Sequence, residues 1–521
     1  MNTSTSSPRK TLHLLIAASL CGISALQAVK FRIPGDDQLP NPSAEVKKAI
    51  SSLESDYTKI AVGILHTAAE KNDANAEFLL GLCAQYGEGS EESMADARQW
   101  YLRAAKNGHA AAMFATAMLT LKDRGDAASN EAARVWLRKS AERKFFPAFR
   151  QMAQVYRFGV GVEPNLKTCR EWLKSASDAG DPASSFALAK MYESGEGAEK
   201  ADPDAAQKLY ETSADAGFTE AIVYLGQMYE SGARGKVNND RAIAYYQKAE
   251  KMKHPEARFR LGRMYAEGRG VEEDLERALF LFEKGAEQNH PDCLYHLGYA
   301  YSLGKGVKKN LKTALGWYKK AGEANHAGAL FNIATFHERG LAGLTESKEE
   351  AVKFYRRAGE LGLAQAQNTI GVWYRHGRGV PQDDVAASAW FGLAADQGYA
   401  AAQVNLGIMF EQGDGVVRNI TMAGRLFQAA AAKRHGIGMY NMARLLENGS
   451  GTPVNRVGAY VLYTQASKAH EPSKEAMEAL KEKLTAEELK EAELVLARKM
   501  DELKKMNENK PGAKPVEAGG E

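Results

Sequence analysis

The sequence predicts an all-α fold: a right-handed α/α superhelical solenoid of about eleven 36-residue helix-turn-helix repeats with helical caps. Three observations carry this prediction. A dipeptide of the Leu-Gly type returns at every interval of 36 or 37 residues. A side chain able to cap a helix follows it twelve or thirteen residues later. Paired glycines stand between the two in ten of the eleven copies. A period of this length marks stacked supersecondary units, none of which buries its apolar face alone.

Composition agrees with a folded chain. Of 521 residues, 44% are apolar and 26% charged, close to globular averages, which excludes intrinsic disorder. Forty-eight glycines and only 15 prolines exclude collagen-like and Pro-rich fibres. Four cysteines exclude a disulfide scaffold. The net charge of +3, from 68 bases against 65 acids, gives no case for a nucleic-acid partner.

Residues 1–28 read as a secretory signal peptide. Arg9 and Lys10 form a short basic region, Leu12 to Leu26 an apolar core, and small residues lead to a cut near Ala28. The core of about 15 residues is short of the roughly 20 needed to cross a membrane. Cys21 follows Leu20, where bacterial lipoprotein signals resemble Leu-x-(Gly/Ala)-Cys, so lipidation is not predicted. Cleavage would remove two bases and no acid, leaving a charge of +1. The mature chain is expected to lack a membrane span and to be periplasmic or secreted. Without cleavage it would be tethered.

Residues 29–75 form a linker and an N-terminal capping helix, with Ile64, Leu65 and Ala68 on one face. The solenoid spans 76–472. Its anchors, numbered here as repeats one to eleven, are Gly81, Ala117, Ala153, Ala189, Gly226, Gly262, Gly298, Ala334, Gly371, Gly407 and Ala443. The residue five before each is Ala, Ser, Cys or Gly, a small-residue seam where a neighbouring helix comes close. The expected caps of the second helices are Ser93, Ser129, Asn165, Asp202, Asn238, Asp274, Asn310, Ser347, Asp383, Asn419 and Asn455. Each second helix carries small, large, large, small residues on one face, as in Ala314, Trp317, Tyr318 and Ala321. Glycine pairs such as Gly268/Gly270 permit the positive φ of a tight turn. They lack the third glycine and the preceding strand of a phosphate-binding loop. Repeat two has Thr116, Thr120 and no glycine pair, so an irregular joint is expected there. Residues 473–506 read as C-terminal capping helices, with a capping box at Thr485 and Glu488. Residues 507–521 are expected to be a disordered tail.

The pattern A-x-x-x-L-G-x-x-Y-x-x-G-x-G-V, then D-x-x-x-A-x-x-W-Y-x-x-A-A, resembles the Sel-one-like repeat (SLR) family, related to tetratricopeptide solenoids. Repeat six shows it as Ala257, Leu261, Gly262, Tyr265, Gly268, Gly270 and Val271, then Asp274, Ala278 and Phe282. The match covers roughly residues 76–470. The resemblance implies a scaffold or peptide-binding adaptor with a long concave groove, and names no partner.

The groove follows by subtraction. Positions −1, 0 and +3 from the anchor are nearly fixed and belong to the core. Positions −2 and +1 vary and lie three apart on one stripe. They nominate Gln151, Tyr224, Arg260, Arg263, His296, Tyr299, Asn332 and Asn405 as groove residues. Tyr and Arg anchor interfaces, and Asn and Gln bond a peptide backbone. The competing reading is a solvated stripe, which tolerates the same variety.

Catalytic signals are sparse. Ser302-Leu303-Gly304-Lys305 is the one S-x-x-K of the mature chain, and its glycine belongs to the repeat's own turn. Cys83, Cys169 and Cys293 fill small or apolar slots in three different repeats and read as buried hydrophobes. Six histidines, 109, 254, 290, 326, 435 and 470, recur at the junctions where other repeats carry Phe, Tyr or Leu. Junctions about 10 Å apart cannot share one ion, so no metal ladder is expected. No catalytic residue, cofactor or metal is predicted. The function expected is an exported, non-enzymatic scaffold binding a protein or peptide along the concave face. The alternatives are a cell-wall-directed protein that binds or hydrolyses a peptidoglycan-like or β-lactam substrate, and a part of polysaccharide-export machinery.

Overall fold

The computed structural model describes residues 39–508 apart from 56, 124, 125, 199, 468 and 469. The expected signal peptide and residues 509–521 of the expected tail lie outside the described residues. Among these there are 26 α-helices, one short 3-10 turn and no strand. The chain divides into two units, residues 1–252 and 253–521.

In each unit the period has one physical content. In repeat seven the first helix is Pro291–Leu303 and the second Leu311–Glu323, each 13 residues. Seven residues turn the chain between them, and three more lead to the next repeat. Stacking is set by small residues facing large ones. Wherever the anchor is glycine, the residue twenty later is Tyr or Phe. A Cβ on Gly226 would stand 2.5 Å from the Tyr246 ring, and one on Gly298 would stand 2.6 Å from Tyr318. The missing Cβ is the space the ring fills, and both tyrosines are fully buried.

The buried rings keep their hydroxyls satisfied by a second periodic device. Tyr101, Tyr210, Tyr246, Tyr318, Tyr355 and Tyr463 each donate to the side chain four residues after the anchor. The acceptors are Gln85, Glu193, Glu230, Ser302, Glu338 and Glu447, at 2.6–3.3 Å. A buried phenol without a partner would carry the cost of an unmade hydrogen bond.

Ten of the eleven expected caps accept the backbone N–H three residues on. The exception is Ser129. The second helix of repeat two begins at Ala127, and Asp126 caps it by accepting from the Ser129 amide at 2.7 Å. Without a glycine pair to hold a seven-residue turn, the two helices of this repeat lengthen to 14 and 16 residues. Asn310 is a standard cap, accepting from the Thr313 amide at 3.1 Å. Asn310→Ala is expected to cost about 1 kcal/mol and Asn310→Asp close to nothing. Urea midpoints read by circular dichroism check this, and an equal loss in both would show that the cap is not an acceptor contact.

The ends are built differently from the repeats. The segment 29–75, expected to hold one capping helix, holds two: Ala44–Glu54, capped by Ser43, and Thr58–Glu70. Val46, Ala49, Leu53, Ala61 and Leu65 join the core beneath the first repeat. At the other end lie Glu471–Lys481 and Ala486–Glu508. The capping box is present: Thr485 N donates to Glu488 at 2.8 Å, and Glu488 N donates to Thr485 Oγ1 at 3.2 Å. Leu480, Leu484 and Ala492 cover Tyr460 and Tyr463 of the last repeat. No described helix is long and apolar enough to cross a membrane.

Candidate binding site on the first-helix face

Of the eight nominated residues, the structure brings three onto one cavity. Arg263, His296 and Tyr299 line a space of about 250 Å³ within the second unit. Its walls come from both helices of repeat six and the first helix of repeat seven. Leu275, Ala278, Leu279, Phe282 and Ala300 supply an apolar floor, and Glu267 and Lys305 add charge at its edge.

His296 sits in an aromatic box. Its ring centroid lies 5.2 Å from Phe282, stacked, and 5.4 Å from both Phe259 and Tyr295. Burial, with help from Arg263, drops its pKa from 6.5 to about 4, so the imidazole is neutral at neutral pH. Arg263 reaches Glu267 at 3.2 Å and lies over Phe259 at 5.7 Å. Arg269 holds the other oxygen of Glu267 at 2.6 Å. Tyr299 is 39% exposed, with the Lys305 ammonium 5.8 Å from its ring centre. An apolar floor under a cationic, aromatic edge can bury an apolar side chain and bond acceptors beside it.

The other nominated residues stand apart from this cavity. Arg260 holds Glu256 at 2.5 Å. Asn332 stands near Tyr295 and Tyr318, where it offsets part of the burial that raises their hydroxyl pKa values. Asn405 donates to Asn368 at 3.0 Å. In the first unit, Tyr224 donates to Glu193 at 2.6 Å and lies 4.6 Å from Tyr210. It borders a separate cavity of about 580 Å³ with Arg157, Phe186 and Lys190. Gln151 is a correction: it is only 3% exposed, inside the core, and presents nothing to a partner. The same position is also buried at Leu79 and Asn441, so variability along this stripe does not by itself mean exposure.

Phe259 and Tyr295 escaped the reading by subtraction, yet they carried a signal. Position −3 is aromatic at Phe78, Phe114, Phe186, Phe259, Tyr295, Phe331 and Tyr440. Six of these seven side chains meet the junction residue of their own repeat, all but Phe331. Phe78 stacks on His109 at 4.5 Å, Phe114 meets Phe145 at 5.6 Å, and Tyr295 stacks on His326 at 4.3 Å. In repeat three the pair is ionic, Arg150 to Asp181 at 2.5 Å. His109, His290, His326 and His470 are thus flat packing residues, and His109, His326 and His435 cap their helices through Nδ1.

Two chemical motifs find structural employment. Ser302 donates to the Tyr299 carbonyl at 2.8 Å and accepts from Tyr318 at 3.3 Å. Its hydroxyl is the acceptor of the repeat's buried tyrosine. Cys83, Cys169 and Cys293 are buried and unpaired. Burial raises all three thiols, Cys83 to about 12 and Cys169 to about 11, which keeps them protonated. Cys21 lies outside the described residues.

Stacked helix pairs with glycine-to-aromatic contacts and capped turns define an α-helical repeat protein. The Sel1 repeat family profile matches eleven times between residues 74 and 470, and the chain belongs to that family. Sel1 repeat proteins typically mediate protein–protein interactions. Among solved structures, the chain is similar to c5321, a protective antigen present in uropathogenic Escherichia coli strains that displays an SLR fold. Identity is 25% over 88% of this chain and 99% of that one, with a TM-score of 0.51. It is also similar to a Sel1 repeat protein from Oxalobacter formigenes, with 29% identity over 51% of this chain and 99% of that one, and a TM-score of 0.42. No curated protein matches the chain.

Proposed function

We propose that this chain is an exported, non-catalytic scaffold that binds a protein or peptide partner along the concave first-helix face of its repeats. One observation carries the reading: Arg263, His296 and Tyr299, nominated by their variability, share one cavity with an apolar floor. The cavity suits a large apolar side chain, while Arg263 and Lys305 bond acceptor groups flanking it. Export rests on the N-terminal segment, with the mature protein periplasmic or secreted after cleavage near Ala28.

The test is a crosslinked pull-down from the envelope fraction. Native protein is compared with an Arg263→Ala, Tyr299→Ala, Lys305→Ala triple variant of equal helicity. These side chains stand at the cavity's edge, so the fold is expected to hold. A protein captured by the native chain and lost at least tenfold in the variant supports the reading. Equal capture by both overturns the placement of the site.

A further inference from the structure

At the junction between repeats six and seven, Glu256, His290 and Asp292 gather one ligand-type atom each, all within 4.8 Å of one another. We propose that these three side chains form a site for a divalent transition-metal ion of the zinc type, with a further coordination position left for solvent or for a partner. The fold makes the cluster. Glu256 and Asp292 are the second residues of successive first helices, and His290 is the residue before the later one. Stacking places the two helix starts side by side, so one histidine meets two carboxylates.

The donor set, one imidazole nitrogen and two carboxylate oxygens, suits zinc. Ligands about 2.1 Å from one ion stand roughly 3.4 Å apart, so closing the cluster needs only side-chain rotation. His290 Nε2 already lies 3.1 Å from Glu256 Oε2. The surroundings orient these groups as the outer shell of a metal centre does. Arg260 holds the other oxygen of Glu256 at 2.5 Å. His326, fixed by its Nδ1 accepting the Ala329 amide, faces Asp292 through Nε2 at 3.5 Å. His290 is stacked on Phe259 with centroids 5.7 Å apart. One repeat further on, Gly328 takes the place of Asp292, so the His326 junction lacks the third ligand. The His254 junction carries the same pattern in sequence, with Glu220 before it and Glu256 after it, but among the described residues only Glu256, His290 and Asp292 bring three ligand-type atoms this close together.

The test is isothermal titration of the metal-stripped, full-length protein with zinc chloride near neutral pH, with magnesium chloride as the contrast. The native chain is expected to bind zinc saturably, and magnesium at least tenfold more weakly. His290→Phe and Asp292→Asn are each expected to weaken zinc binding at least tenfold. His290→Phe keeps the fold, because Phe145 and Phe218 fill the equivalent junctions and pack at 5.6 Å on their own aromatics. Unchanged melting midpoints in the absence of zinc confirm that. No saturable zinc binding by the native chain, equal binding of magnesium, or zinc binding unchanged in either variant overturns the site.

Discussion

Gly415→Ala is expected to lower the thermal midpoint by several degrees, the largest effect of any single methyl group in the second unit. Gly415 holds a φ of +63°, where a side chain costs about 1–2 kcal/mol. A Cβ there would also stand 2.3 Å from the Asp384 carbonyl, backbone of the preceding repeat's second helix. Backbone cannot rotate away as a side chain does, so overpacking adds about 1–3 kcal/mol. The total of roughly 2–5 kcal/mol corresponds to a drop of about 4–10 °C for a unit of this size. Gly392→Ala is the matched control, since a Cβ there meets nothing within 4 Å and lies in a helix. It is expected to leave stability unchanged or raise it by up to about 1 kcal/mol. Equal midpoints for the two variants would contradict the account of how repeats are spaced.

Acid should destabilise the native protein more than a His296→Gln variant. The folded value of about 4 lies below the ordinary 6.5, so the unfolded chain takes up the proton first. Stability from a neutral His296 is complete above pH 6.5, falls as pH drops through the window to 4, and is lost below it. The full difference is about 3 kcal/mol. Arg263 and His326 depress the value further, while Asp292 and Glu267 raise it. The variant leaves the other titrating groups in place, so subtracting the two pH profiles isolates this residue. Denaturant midpoints at pH 7, 5.5 and 4 are expected to converge on or cross those of the variant as pH falls. Parallel profiles would show that the ring is not buried in its aromatic box.

The fold was legible because its constraints recur. Anchor glycine, capping side chain and glycine pair each answer one steric or hydrogen-bonding need, and eleven copies separate need from accident. Ser129 shows the limit: where repeat two drops its glycine pair, the fixed offset counts a residue inside the helix, while Asp126 caps it. The site was legible in part. Variability located Arg263, His296 and Tyr299, but could not separate an exposed position from a buried one with a local partner, as at Gln151. The aromatics of the −3 row look like core from sequence, and only packing shows that Phe259 and Tyr295 enclose His296. The cluster at His290 was hidden for another reason. Comparing junction histidines with each other misses the acids 34 residues before them, Glu256 before His290 and Asp292 before His326.

The central claim is that a partner docks over the cavity at His296. A photocrosslinking amino acid placed at Tyr299 tests it most directly, with Val385 as the comparison site because it is 66% exposed on a second helix. Illumination in the envelope fraction is expected to give one discrete adduct from position 299 and none from 385, with the adduct lost in Arg263→Ala, Lys305→Ala protein. An adduct from 385 alone, or none from 299, would contradict the placement of the binding face.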